Sequence, residues 1–510
     1  MGLSRAWLAV LFVPLTVACT ALLGDFSVTT DANDGGESGD GNTANDGAQN
    51  GDGAASCTGT QTACGSDCAE LQTSAAHCGT CDHACTTGFS CSGGVCDNAV
   101  TTMISGGTTT CAALKRGDVY CWGDNTQGQV GIGDVTTTHP PTLVAHDSKN
   151  NPFTALASIG LGRTHACAAS STGIPLCWGS NTLGQTATGN VSPDGGILPV
   201  PTPTPAAQKS GPFGPTTYVY SAMSTGAAAG HQCAITLDAG LVCWGNNDNG
   251  QLGHVDAGFL IDSTCTEYGS VAEDCSAVPF PAEFAGSVKQ AVAGNAHTCV
   301  LDTTGNVSCW GNGFDGQLGN GRAGLGAGTG PAPTPVQGLD GGITEIAAGE
   351  SVSCAVKKDG TVWCWGYSTD GELGYPGSHI DAGDFCCSVE GCFNNTCFAR
   401  PSAIQIAPIT NAVDVSVGCD HVCATESDGS VWCWGNNVSG ELGNGTTATT
   451  PTPPTKVTGI SNAVGVTAGC GHTCAWLKDG TASCWGLNDH GQLGNGSVNS
   501  ATPIAVKGLP

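Results

Sequence analysis

One phrase recurs seven times between residue 98 and the C-terminus: a cysteine, nine intervening residues, then Cys-Trp-Gly. It reads TCAALKRGDVYCWG from Thr110, ACAASSTGIPLCWG from Ala166 and QCAITLDAGLVCWG from Gln232. It continues as TCVLDTTGNVSCWG from Thr298, SCAVKKDGTVWCWG from Ser353, VCATESDGSVWCWG from Val422 and TCAWLKDGTASCWG from Thr473. The shortest spacing, from Trp434 to Trp485, is 51 residues. A period near fifty with several strand-like runs per copy is the signature of a propeller blade, a small sheet that buries its faces only against neighbouring copies. The 79 glycines fit many turns and short strands.

The hairpin can be read residue by residue. Cys354 to Lys357 forms one strand, Lys358-Asp359-Gly360 the turn, and Thr361 to Trp365 the return. Gly360 at the left-handed end of this loop sets Lys357 opposite Thr361. Counting outward, Val356 faces Val362, Ala355 faces Trp363 and Cys354 faces Cys364. Three steps out from the closing pair, the cysteines fall at a non-hydrogen-bonded site with close Cα atoms, suited to a cross-strand disulfide. The same offset predicts that Cys111 pairs with Cys121, Cys167 with Cys177, Cys233 with Cys243 and Cys299 with Cys309. It likewise predicts Cys354 with Cys364, Cys423 with Cys433 and Cys474 with Cys484. Reduced core cysteines, packing as small apolar residues, are the alternative. Each Trp-Gly is followed by a turn such as Asn436 to Gly443, a Pro-Thr-rich stretch, and a strand such as Val413 to Val417. This gives four strands per blade. The first copy, starting at Val100, has no strand before it, so the terminal segment Pro503 to Leu509 is expected to complete blade one and close the ring.

The repeated phrase, with Gly-Gln-Leu-Gly at 250–253, 316–319 and 491–494, resembles the regulator of chromosome condensation repeat family. The resemblance spans roughly 98–510 and implies a seven-bladed β-propeller in an all-β chain. Gln129-Val130 and Gln185-Thr186 depart from Gln-Leu in the first two copies. The family's founding member is a nuclear exchange factor for a small GTPase bound to chromatin. A secreted β-lactamase inhibitor protein shares the scaffold, which implies that it can serve as an extracellular protein-binding surface.

Charge and export argue against the nuclear role. The chain carries 42 acidic and 14 basic residues, a net charge of −28. Of these, 31 acids and 13 bases lie beyond residue 97, so the repeats are acidic in their own right. Such a surface repels phosphate backbones, and no nucleic-acid partner is expected. Residues 1–18 read as an export signal, with Arg5 ahead of the apolar run Ala6 to Leu15 and small residues Val17 and Ala18 before a cut. Cys19 would then begin the mature chain, as in a bacterial lipoprotein signal, which this segment resembles. Lipid on Cys19 is the expected membrane attachment, in an outer-membrane or cell-surface setting; an ordinary secretory signal leading to a secreted or periplasmic protein is the alternative.

Residues 19–56 form an acidic low-complexity tether, too poor in apolar groups to order itself. Residues 57–97 hold eight cysteines, at 57, 64, 68, 78, 81, 85, 91 and 96. Forty residues need staples, and four disulfides are expected, with connectivity open. A zinc site on Cys78 and Cys81 with His77 or His83 is the rival. Cys78-Gly79-Thr80-Cys81 with Cys85, Cys91 and Cys96 is similar to the stigma-specific cysteine-rich family, which implies an extracellular interaction module. The 31 cysteines then divide into one for lipid, eight in this module, fourteen in hairpins, six in insertions and two more, Cys419 and Cys470. These last two sit four residues before repeat cysteines in adjacent blades and are expected to join them; a Cys-His metal set with His421 and His472 is the rival.

His165, His231, His297, His421 and His472 each lie two residues before the first repeat cysteine, while Thr109 and Val352 break the series. One group repeated around a ring points to a structural bond within each blade, rather than to converging catalytic groups. Insertions at Thr186–Tyr218, His254–Glu283 (with Cys265 and Cys275, an expected pair) and Tyr375–Arg400 (Cys386, Cys387, Cys392, Cys397) share one phase of the repeat. They are therefore expected to project from one face and engage a partner. No nucleophile elbow, phosphate loop, zinc helix or dinucleotide fingerprint is present. The expectation is a monomeric binding protein for an extracellular or envelope protein or glycan, with no catalytic residue, cofactor or metal. An exchange factor or regulator, and an extracellular polysaccharide-acting enzyme or enzyme inhibitor, are the alternatives.

Overall fold

The computed structural model describes residues 60–144, 156–188, 199–253, 275–374 and 399–510, apart from short breaks, with two strand pieces at 392–393 and 396–397. The export signal, Cys19, the tether, Cys57 and Cys265 lie outside the described residues. Regular structure is strand: seven four-stranded antiparallel sheets form the seven blades. Among the described residues no helix is long and apolar enough to cross a membrane.

Every blade is one contiguous run. Blade six comprises Ala412–Val417, His421–Glu426, Val431–Asn437 and Ala448–Lys456, paired in that order. Blade one runs from Val100–Ser105 to Thr138–Leu143, and blade seven from Ala463–Ala468 to Ser500–Ala505. This corrects the expected ring closure. The terminal strand pairs with Ala482–Gly486 of blade seven and not with blade one. The turn after Trp-Gly reverses the chain, so the Pro-Thr strand returns alongside the hairpin it has just left. Blade one likewise owns its outer strand.

The hairpin register is the one the ten-residue offset gives: Val356 faces Val362, Ala355 faces Trp363 and Cys354 faces Cys364. Gly360 has φ +80°, the left-handed conformation that its loop requires. The repeat cysteines are disulfide-bonded in every blade rather than reduced. Cys111 is joined to Cys121, Cys167 to Cys177 and Cys233 to Cys243. Cys299 is joined to Cys309, Cys354 to Cys364, Cys423 to Cys433 and Cys474 to Cys484. Their Cα atoms lie 4.0–4.1 Å apart, the close approach of a non-hydrogen-bonded site. All fourteen are fully buried.

Each seam between blades is built around the repeat tryptophan. All seven are completely buried. Each indole Nε1 donates to the backbone carbonyl of the Gln or Glu in the preceding blade's Gly-Gln-Leu-Gly-type turn. The distances run from 2.6 Å (Trp434 to Glu372) to 3.0 Å (Trp310 to Gln251). Trp122 donates to Gln492, so the last seam is clasped like the rest. The turn is itself pinned: the side chain of Gln317 accepts the Asp315 N–H, and that of Gln492 the His490 N–H. The closing glycine lies against the ring. A Cβ on Gly319, at φ +66°, would come within 2.9 Å of Trp365.

Four of the five histidines serve these same seams, which corrects the expectation of a bond inside each blade. His231 Nε2 meets Thr298 Oγ1 at 2.7 Å, His297 meets Ser353 Oγ at 2.8 Å, and His421 meets Thr473 Oγ1 at 2.8 Å. His472 meets Thr110 Oγ1 at 2.8 Å across the closing seam. Each partner stands just before the first cysteine of the next blade. The Thr298 and Thr473 hydroxyls donate onward to the carbonyls of Gln251 and Glu441, which also receive the tryptophans. Where a blade lacks the histidine, at Thr109 and Val352, the next blade lacks the hydroxyl, carrying Ala166 and Val422. Glycine precedes four of the histidines by three residues; at Gly294 a Cβ would collide with the His297 imidazole.

The small N-terminal module pairs Thr62–Cys64 with Asp67–Ala69 and Cys91–Ser92 with Val95–Cys96. Its disulfides join Cys64 to Cys81, Cys78 to Cys91 and Cys85 to Cys96. Cys78 and Cys81 are thereby removed from any zinc site. Cys68 is also disulfide-bonded. The segment leaving the module meets blade seven and the C-terminus: Val100 N donates to Gly480 O in the blade-seven hairpin turn at 2.9 Å and Asn98 Nδ2 to Pro510 O at 2.6 Å.

Burial lowers the five histidines, His165, His297 and His472 to about 4 and His231 and His421 to about 3. A depressed folded-state value means that the unfolded chain binds more protons, so this stability is complete above pH 6.5 and is lost as the pH falls toward 4. At about pH 5 the cost is on the order of 2 kcal/mol per histidine. In urea unfolding at neutral pH, Thr110→Val should cost about 1–3 kcal/mol by orphaning His472. The double variant His472→Val with Thr110→Val copies the natural seam between Val352 and Val422. It should cost less than the sum of its two singles and flatten the acid limb of the stability curve.

Candidate binding face

In a four-stranded meander, the turn from first to second strand and the connection from third to fourth fall at the same end of the blade. The hairpin lies at the other end. The first kind, here the inner turns, are linked around the axis by backbone bonds. Gly107 N donates to Arg163 O, Arg163 N to Ala229 O, Asn295 N to Gly349 O and Cys470 N to Gly107 O. Cys419 and Cys470 stand in the inner turns of blades six and seven and are disulfide-bonded, with Cα atoms 4.8 Å apart. The bond occupies both sulfurs, and His421 and His472 bond hydroxyls instead of a metal partner. The chain leaves this end for its insertions at Gly253 and Gly374 and rejoins the described fold at Cys275 and Ala399. Cys275 is buried and disulfide-bonded. Cys386 and Cys387 lie outside the described residues, and Cys392 and Cys397 occupy opposed positions of a short strand pair.

Acidic groups gather at this end over blades four to six. Asp370, Glu372 and Asp420 bring one carboxylate oxygen each within 4.8 Å of the others. Asn436 Nδ2 donates to Asp370 at 3.4 Å, and Ser351 Oγ donates to Asp315 at 3.3 Å. Burial first, then Asp370 and Asp420, pushes Glu372 up to about 8. Asp420 is raised by burial and by Asp370 and Glu350, with Arg163 opposing. Burial raises Asp315 and Glu441. Tyr367 is raised by burial and by the charges of Asp315, Glu372 and Asp370. Three carboxylates at this spacing supply part of the oxygen shell of a hard cation, and equally a negative patch for an ammonium or guanidinium group.

Reading the sequence alone missed this cluster. Its signal was present: Gly-Glu-Leu-Gly replaces Gly-Gln-Leu-Gly at Glu372 and Glu441, and Asp315 and Asp370 stand at the same position after Trp310 and Trp365. The Glu372 carboxylate accepts the Asp370 N–H just as each glutamine accepts its own turn amide. An ionised Glu372 is thus an anion held in an amide's slot.

Its raised value has a clear consequence. The folded state holds the proton longer, so the stability Glu372 contributes is complete below its ordinary value of 4.5 and is lost as the pH rises through about 8. Glu372→Gln restores the residue used at Gln251, Gln317 and Gln492. Its melting temperature should match wild type near pH 4.5 and exceed it progressively up to pH 8, a gain of up to a few kcal/mol.

The comparisons with known proteins agree with this architecture. The Regulator of chromosome condensation (RCC1) repeat profile matches residues 116–169, 240–301, 304–356, 359–425 and 428–476, more than half of the chain. The Stigma-specific STIG1-like protein family profile matches residues 37–99. The Ultraviolet-B receptor UVR8 of Arabidopsis thaliana is 28% identical over 415 residues, covering 80% of this chain and 82% of that protein. The human E3 ubiquitin-protein ligase HERC2 is 27% identical over 387 residues, 75% of this chain, which spans only 7% of the ligase. Among solved structures, yeast RCC1 (Prp20) bound to Kap60 superposes with a TM-score of 0.59 at 21% identity, covering 77% of this chain and 84% of that one. The chain belongs to the regulator of chromosome condensation repeat family.

Proposed function

We propose that this protein is an exported, lipid-anchored binding protein that captures a basic protein partner on the inner-turn end of its propeller. The observation that carries this reading is the grouping of Asp370, Glu372 and Asp420 on adjacent blades, at the end from which the long insertions leave. Carboxylates held close together and partly buried are costly unless a cation compensates them, and a lysine or arginine from a partner does so. The numerous disulfides support an oxidising, extracellular setting. A crystallised relative, yeast RCC1, is bound to the protein Kap60 and supports the use of this scaffold for protein recognition. Cys19 is the proposed lipid site, residues 19–56 the spacer, 57–97 a separate cysteine-rich module and 98–510 the propeller.

Two experiments test this reading. The protein immobilised through its N-terminus should capture a partner from envelope extract in a salt-sensitive manner. The double variant Asp370→Asn with Asp420→Asn, and separately excision of residues 378–399, should abolish capture without lowering the melting temperature; retained capture by both variants refutes the face assignment. In cell fractionation, the full chain should sediment with membranes and Cys19→Ala should move to the soluble fraction. Unchanged sedimentation rules out the lipid anchor.

A further inference from the structure

The first strands of blades one and four to seven, with Thr225 to Ala227 of blade three, line an open-mouthed pocket of about 190 Å³ around the propeller axis. At about 30 Å³ per water molecule, it has room for roughly six waters, close to the volume of a single hexose. Its lining includes Ser105, Gln290, Glu345, Asp414 and the indole of Trp476.

The third residue of the blades' first strands has a structural task. Ser158 Oγ, Gln290 Oε1 and Asp414 Oδ2 each accept a backbone N–H from the next blade's first strand: Met223 at 3.1 Å, Ile346 at 2.9 Å and Val466 at 2.7 Å. Glu345 departs from that pattern. It turns its carboxyl to the carboxyl of Asp414, close enough to hydrogen-bond. Two carboxyls can bond only by sharing a proton. Burial and the Asp414 charge raise Glu345 well above the usual range, with Lys289 opposing. Asp414 is raised by its burial, while the Val466 amide favours its anion. The pair therefore holds its one proton between the two carboxyls and offers their remaining oxygen lone pairs as acceptors.

Two further groups in the lining are unsatisfied. Ser105 is 3% exposed, and its hydroxyl makes no hydrogen bond; its N–H goes to Thr467 Oγ1 at 2.8 Å. Trp476 Nε1 is buried with no acceptor. Its ring lies over the Cα of Gly465, where a Cβ would strike both the indole and Asp414. Buried indole N–H groups normally find a partner, and leaving one without costs the full desolvation of the group. A hard cation suits the carboxylates but repels an N–H donor, whereas a sugar ring supplies hydroxyls that donate to the carboxyl oxygens of Glu345 and Asp414 and accept from Ser105 and Trp476.

We infer that the axial cavity is a binding site for one neutral hexose unit, held by Glu345, Asp414, Ser105 and Trp476. The site is separate from the acidic face, and its failure would leave the protein-capture reading intact.

The test is isothermal titration of the full chain with D-glucose, D-galactose, D-mannose and N-acetyl-D-glucosamine, and separately with calcium chloride. At least one sugar should bind one-to-one with a Kd of about 1 mM or lower. Trp476→Phe and Ser105→Ala keep the packing and remove one hydrogen-bonding group each, so each should weaken that sugar by about tenfold. Glu345→Leu removes both carboxyl oxygens and should weaken it comparably while leaving the Asp414–Val466 bond in place. Methyl glycosides of the winning sugar separate the sources: equal binding marks the end of a glycan chain, and lost binding marks the free sugar. No binding of any sugar at about 50 mM, binding unchanged in all three variants, or calcium binding in place of sugar overturns the assignment.

Discussion

The ring depends on a carbonyl that is approached twice. At each seam, the backbone oxygen of one turn residue receives the next blade's tryptophan, and at several it also receives a hydroxyl that a histidine in the first blade aligns. Neither half of this clasp can be satisfied within one blade. A single blade would expose an indole face, an orphaned indole N–H and a bare turn carbonyl, all of which carry heavy penalties once removed from water. The clasp thus makes the isolated repeat unstable and the closed ring favourable. It also fixes the local sequence: glycine follows the turn because the indole fills the place of a side chain, and in six of the seven blades asparagine or serine precedes it to hold the turn amide.

Covalent bonds reinforce a different direction. The hairpin disulfides tie the second and third strands within a blade, whereas the clasp ties blade to blade. The Cys419–Cys470 disulfide does cross a seam, at the inner turns near the axis, where the backbones of adjacent blades already touch.

What could be read from the sequence follows the range of each interaction. The Cys354–Cys364 register was legible because a three-residue loop with Gly360 determines everything outward from it. Strand ownership was not. The Pro-Thr strand is adjacent in sequence both to the hairpin before it and to the inner strand after it, and composition does not favour either neighbour. The histidine series was visible as a series, but its partners sit one blade further on. Only by shifting the alignment one repeat does the absence of His at Thr109 and Val352 match the absence of a hydroxyl at Ala166 and Val422. The acidic face was not legible for a related reason: Asp420 comes beside Asp370 and Glu372 only after the blades are stacked. Glu345 and Asp414 likewise come together across a seam from positions that are unremarkable within their own strands.

Because each blade is one unbroken run, the seam between blades seven and one is the single joint that no peptide link crosses. Trp122 on Gln492, Thr110 on His472 and Gly107 under Cys470 hold it with the same parts used elsewhere. Nothing in the chemistry of that joint distinguishes first from last. The polypeptide could begin between any two blades and still produce the same ring. A copy could also be gained or lost by in-frame duplication or deletion without rethreading a strand. The number of blades is therefore set by how many copies curve into closure, and the position of the chain ends is free to be chosen by what must be attached there, in this protein the cysteine-rich module.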